Sequence, residues 1–275
     1  MSEALPEEEF RKKIHDQFPR HFEYIYHLHQ FVEEVMSSCK AQAGSSTHTA
    51  YWLILAKAFK SFDAIRRLCE IAYCEDAGVI LRSLLNLLAI TRWISADSKR
   101  AAKYLAWYWI EMHSNVHKYK DLIDPQFLEV IEKRYEVARK LFEYDDNGKK
   151  RFPDKWHQPE ANTIREMFEQ VDLLQHYDEA YKPLSGIEHS DATAYLPMIV
   201  GMEKATGERS LNVHNPAYVP HILRNAFQYF ADIFELCNQT LRIVDPAEEF
   251  DGLRKAGMTF YAEDVNDKAD RASSH

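Results

Sequence analysis

Glycine is scarce: the chain has 8 in 275 residues, against an average usage of roughly 7%. Tight turns between strands draw on glycine, so the shortage points to few, long helices. Cysteine is nearly as rare. Cys39, Cys69, Cys74 and Cys237 lie in apolar stretches and form no Cys-x-x-Cys pair, which argues against a disulfide framework and a zinc cluster of the usual spacing. Buried, reduced thiols in a cytoplasmic protein are the expectation.

Positive charge is also short. Lys and Arg number 34 against 43 Asp and Glu, a net charge of −9, and no basic stripe runs along the chain. Duplex DNA is therefore not an expected partner. Gly-rich phosphate loops, a Gly-x-Ser-x-Gly elbow and His-Glu-x-x-His are all missing, which sets aside the common nucleotide hydrolases and metalloproteases. The acidic segment from Met1 to Glu9 lacks the basic and apolar regions of a signal peptide. The longest apolar stretch, Ala77 to Ile94, is interrupted by Arg82, Asn86 and Arg92. It reads as a buried helix rather than a membrane span, and no membrane partner is expected.

What the chain does have is apolar residues at three- and four-residue steps. Between Pro6 and Ala43 these are Phe10, Ile14, Phe18, Phe22, Ile25, Phe31, Val32 and Val35, with Pro19 splitting or kinking the run. A turn at Gly44-Ser45-Ser46, with Ser46 or Thr47 as cap, opens a helix toward Tyr73. Asp76 is a suitable cap for a helix over 77–95. Asp97 or Ser98 opens an aromatic-rich helix, and Asp124-Pro125 a helix through Phe142. Residues 144–158 form a polar loop or hairpin tip around Asp145-Asp146-Asn147-Gly148. Helix is expected again over 159–175, a broken stretch over 177–196, a loop over 201–216 and a long helix over 220–244. The predicted fold class is all-α, an irregular multi-helix bundle around a central buried helix at about 77–95. Residues 1–244 are expected to form a single helical domain. A short helix over 245–257, ending at Gly257, and a mobile tail over 258–275 follow it. The aromatic content (15 Phe, 15 Tyr, 5 Trp) offers a face on which two copies could pair, so a homodimer stands among the expectations.

Three places could carry chemistry. At about 100° per residue, Arg82, Ser83 and Asn86 share one side of the central helix. A buried guanidinium needs a partner. That partner is either an internal carboxylate (Asp63, Glu70 or Glu188) or an external phosphate or carboxylate. In the segment Tyr181 to Asp191, Pro183 and Gly186 break the helix before His189 and Ser190. A histidine at a helix start can bind anions and act as general acid or base. His113 and His117 stand four apart, a spacing able to chelate a metal. The sequence indicates no third ligand, and Glu-x-x-His is absent, so no metal and no cofactor are expected.

Arg209 and His214, separated by four residues, resemble the spacing of the HEPN ribonuclease superfamily, helical domains that cleave RNA without a metal. The run Glu75-Asp76-Ala77, then Leu81-Arg82-Ser83-Leu84-Leu85-Asn86, and the aromatic Trp93 together resemble an uncharacterised bacterial family. That family is the domain of unknown function five-six-seven-seven. Its later tryptophan is matched by Trp156, and its Tyr-x-x-Leu-Ser segment before a histidine by Tyr181, Leu184, Ser185 and His189. The resemblance covers roughly 47–195, and Asn86 stands where the family usually has glutamate. It implies an all-helical bacterial protein.

The leading expectation is a HEPN-like, metal-independent endoribonuclease or toxin-type effector in bacterial defence, with RNA as partner. Arg82 would hold a phosphate and His189 would move the proton of a ribose 2′-hydroxyl, with Arg209 and His214 as the rival catalytic pair. Ser83, Asn86, Tyr181 and Ser190 would bind substrate. The alternatives are a non-enzymatic module that grips a small anion, and a purely structural interaction protein.

Overall fold

The computed structural model describes residues 7–39, 44–188, 216–244 and 248–273, with 146, 187–188 and 265–273 given by backbone alone. These residues are almost entirely α-helical. Helix α1 (Glu7–Gln17) and α2 (Pro19–Ser38) are parted at Phe18, because Pro19 opens a new first turn, where its missing N–H costs nothing. Helix α3 (Ser46–Glu70) is capped one residue earlier than predicted: Ser45 Oγ accepts from the His48 amide. Helix α4 (Cys74–Ala96) starts at Cys74, which moves Asp76 from the cap position into the first turn beside Glu75. There both carboxylates favour the positive end of the helix dipole.

Helix α5 (Ser98–His117) is capped by Asp97 and α6 (Pro125–Arg139) by Asp124, with Pro125 in its first turn. The polar loop is a hairpin, β1 (Tyr144–Asp146) paired antiparallel with β2 (Lys149–Arg151). Asn147 and Gly148 both take positive φ at its tip, as a two-residue turn demands. Helix is shorter than expected beyond it: α7 (Ile164–Gln170) and α8 (Leu174–His176) lead into a π-helical turn, Tyr177–Tyr181, and α9 (Lys182–Glu188). Pro183 and Gly186 lie inside α9 rather than ending it, since a proline in the first turn forfeits no helical hydrogen bond. The stretch over 201–216 lies, but for Pro216, outside the described residues.

Helix α10 (Val219–Leu241) is followed by α11 (Glu248–Ser273). The helix predicted to stop at Gly257 therefore runs on through the segment expected as a mobile tail. The reason is packing. Gly257 is buried mid-helix against Phe227 of α10, so its missing Cβ serves close approach of two helices rather than a left-handed cap.

The chain divides into two compact units, 1–41, 54–88 and 175–275 in the first, 42–53 and 89–174 in the second. In the first, Phe62 stacks on Phe230 at 4.5 Å between ring centroids, and Phe31, Phe234 and Phe250 pack edge and face with one another. One buried carboxylate accompanies this apolar core. Glu70 is 3% exposed; it accepts from the Tyr26 hydroxyl at 2.7 Å and pairs with Arg66 and Arg11. Because the single Tyr26 proton goes to Glu70, the Tyr26 oxygen accepts from His15 Nε2 at 3.1 Å. Arg66 also reaches Asp63, which is held in turn by Arg67 and faces His29.

In the second unit α5 and α6 pack around Ile110, Ala138 and Phe142, with Trp107 and Tyr135 against them. The Arg100 guanidinium lies 3.7 Å over Trp93 and joins Lys103 on Glu160. Helix α4 is the central helix of the fold class. It is long and apolar enough to cross a membrane by length and composition, yet 67% of its most apolar window is buried within the protein.

Two predictions follow from this packing. A Cβ on Gly257 would come 2.3 Å from Cζ of Phe227, whereas Gly252 on the same helix meets nothing within 4 Å. Gly257→Ala should lower stability by about 1–3 kcal/mol through overpacking, and Gly252→Ala should raise it by up to about 1 kcal/mol through helix propensity; urea unfolding of both variants checks the pair. Burial, seconded by neighbouring arginines, lowers the pKa of His15 and His29, and burial with Arg224 lowers that of His221. In each case the unfolded chain binds the proton more readily, so stability is complete above the unfolded value of about 6.5 and falls as pH drops through the lowered folded values. The urea midpoint should be lower at pH 5.5 than at pH 7.5, and the drop should shrink in His221→Gln; an equal drop in that variant would count against a buried neutral imidazole.

Candidate functional site

The polar stripe of α4 meets the π-helical turn. The Arg82 guanidinium lies 4.3 Å over the Tyr181 ring, and its Nη2 donates to the Tyr181 hydroxyl at 3.0 Å. Tyr181 itself stacks on Tyr177, at 5.1 Å and 16° between the rings. The wider spacing of a π turn sets these two tyrosines four apart on one side. Of the carboxylates named as internal partners for Arg82, Asp63 and Glu70 are engaged by Arg66. The side chain of Glu188 lies outside what is described.

The same helix carries two further members of the predicted stripe. Ser83 turns its hydroxyl back to the Val79 carbonyl at 3.4 Å, an intrahelical contact that serves α4 itself. Asn86, one turn beyond Arg82, has a buried amide oxygen that accepts no hydrogen bond among the described residues. An orphaned buried acceptor costs about 1–3 kcal/mol, so this oxygen is a place on the stripe where an added donor would stabilise the protein.

Two contacts give the course of α9 along α4. Tyr181 touches Arg82, while Leu184 lies against Gly78, where a Cβ would come within 2.9 Å of it. Helix α9 therefore runs antiparallel to α4. By Glu188 it has travelled about 10 Å from Tyr181, toward the start of α4 and away from Arg82. His189, Ser190, Arg209 and His214 lie outside the described residues. Arg82, Asn86 and Tyr181 are thus the predicted site residues that the structure gathers in one place.

The aromatic-rich helix yields a second cluster. His113 and His117 bring their Nε2 atoms to 2.9 Å of each other, and Glu132 of α6 reaches both, at 3.3 Å to His113 and 2.8 Å to His117. Glu132 is the third group that the sequence does not indicate. It lies fifteen residues from His117, across the turn between α5 and α6, where no helical spacing would pick it out. Tyr177, four before Tyr181, was equally unmarked, because the π turn that aligns the pair leaves no signature in the sequence.

Among known proteins, no curated protein and no solved structure matches the chain. A family model does, over residues 48–205. That span holds α4, the Arg82–Tyr181 pair and His189, as the resemblance read from the Arg82 and Tyr181 segments implies. It covers more than half of the sequence, and the chain belongs to the family of unknown function DUF5677.

Proposed function

We propose that this protein is a binding module for a small anionic ligand, gripped by Arg82 and Asn86. The observation that carries the reading is the buried amide oxygen of Asn86, one helical turn from a guanidinium that is fixed flat against Tyr181. A guanidinium matches phosphate or carboxylate through paired N–H donors, and an orphaned acceptor matches a hydroxyl or N–H. The ligand class that offers both on one small frame is a sugar phosphate or a nucleoside monophosphate. Holding Arg82 by stacking and by the Tyr181 hydroxyl lowers the entropy lost on binding.

The second reading is the metal-independent ribonuclease or toxin-type effector acting on RNA, with Arg209 and His214 as its acid–base pair. Their spacing and the all-helical fold favour it.

The test is thermal unfolding and native mass spectrometry with inorganic phosphate, ribose 5-phosphate and nucleoside 5′-monophosphates. Replacing an orphaned acceptor with an apolar group of similar size should stabilise the free protein. Asn86→Leu is therefore expected to raise stability by about 1–3 kcal/mol and to abolish the ligand-induced shift, while Arg82→Lys weakens binding. An Asn86→Leu variant that is less stable than the parent, or that binds as before, would sink the proposal. RNA cleavage that survives chelator and is lost in His214→Ala would put the ribonuclease in its place.

A further inference from the structure

The structure assigns a binding site for a divalent transition-metal cation, zinc foremost, to His113, His117 and Glu132. One ligand atom of each residue lies within 4.8 Å of the other two. The residues come from two helices of the same unit, α5 and α6; the His113 side chain is 21% exposed, while His117 at 44% and Glu132 at 46% stand open to solvent. Two imidazole nitrogens and a carboxylate are a ligand set that zinc takes in three-ligand sites, with a fourth position left to water.

Proton bookkeeping favours a cation over a hydrogen-bonded cluster. Each Nε2 carries one proton or none. If both carry one, each can donate to Glu132, but the two N–H groups then face each other across 2.9 Å. If one carries a proton, the other nitrogen turns a lone pair toward the carboxylate. If neither does, all three contacts set lone pair against lone pair. With Glu132 ionised, no protonation state of the two imidazoles makes the three contacts favourable together, whereas a central cation accepts a lone pair from each residue. In a tetrahedral zinc site with bonds of about 2.0–2.1 Å, ligand atoms stand about 3.3 Å apart. The two nitrogens stand 2.9 Å apart, and the two oxygens of Glu132 lie 3.3 Å from His113 and 2.8 Å from His117, so either oxygen can serve as the third ligand after small side-chain shifts.

The cluster is also braced. The His113 ring stacks on Tyr135 at 3.7 Å and 9°, and Tyr135 packs against Ile110, Ala138 and Phe142. The imidazole plane is thus fixed by the hydrophobic core of the α5–α6 pair, which is the support a metal site requires. Two nitrogens and one oxygen suit zinc and its borderline neighbours, not magnesium or calcium, which take all-oxygen shells. The site owes nothing to the Arg82 reading, and either can fail alone.

The experiment is titration of the full-length, tag-free protein with zinc by calorimetry and with cobalt by visible absorption. One equivalent of zinc, a cobalt spectrum of tetrahedral intensity and a zinc-dependent rise in Tm are expected. His117→Ala and Glu132→Gln should each weaken zinc binding by about 100-fold or more, since loss of even an outer-shell partner costs 10- to 100-fold. His27→Ala, an exposed histidine on α2, should leave it unchanged. Circular dichroism confirms that the variants fold. No zinc or cobalt uptake by the parent, or equal uptake by His117→Ala and Glu132→Gln, overturns the assignment; so does binding of magnesium in preference to zinc.

Discussion

A helix that is apolar on all but one narrow stripe has to be covered on nearly every side, and α4 sets that condition for this protein. Leu81, Leu84, Leu85, Leu88, Ala89, Trp93 and Ile94 are all buried, while Arg82, Ser83 and Asn86 keep partial exposure on the remaining side. Covering it forces decisions on its few polar groups. Arg82 is met by a tyrosine that offers both a π face and a hydroxyl. Arg92 donates to the Val171 carbonyl. Bringing a guanidinium inside is costly unless its charge is met by such partners.

The charge cluster on α3 solves the same problem differently. There a carboxylate is the buried group, and it gathers Arg66, Arg11 and the Tyr26 hydroxyl around itself. Burial and the adjoining Glu70 push the Tyr26 hydroxyl up to about 12, so the phenol stays a proton donor to Glu70 over the whole working range. The cluster is closed in donors and acceptors: the carboxylate, the phenol and the His15 imidazole each find a partner. It reads as architecture, tying α1 and α2 to α3.

The two places with chemical promise are those where such closure fails. At Asn86 an acceptor has no donor among the described residues. At His113, His117 and Glu132 three Lewis bases converge with too few compatible protons. The first defect is relieved by a ligand that brings hydrogen-bond donors and an anion, the second by a cation. Ser61 Oγ and Arg254 Nε are likewise buried without a hydrogen-bond partner among the described residues, so it is the neighbourhood of a guanidinium at Asn86, and the convergence of three ligand groups at Glu132, that sets these two positions apart.

The sequence by itself determined the helical class, the breaks at Pro19 and Asp124-Pro125, the burial of the 77–95 stretch and the polar stripe with Arg82 at its head. These rest on the 3.6-residue period and on capping chemistry, which act between residues a few positions apart. It misjudged local ends wherever packing overrode a local signal: Gly257 reads as a helix stop but serves the contact with Phe227, and Pro183 and Gly186 read as breaks but lie within α9. Only the tertiary structure decided that Tyr181 covers Arg82, that α9 runs back along α4, and that Glu132 joins His113 and His117. Each of those contacts spans residues far apart in the chain, and which side chains meet there is settled by how whole helices pack, a property that no spacing along the sequence encodes.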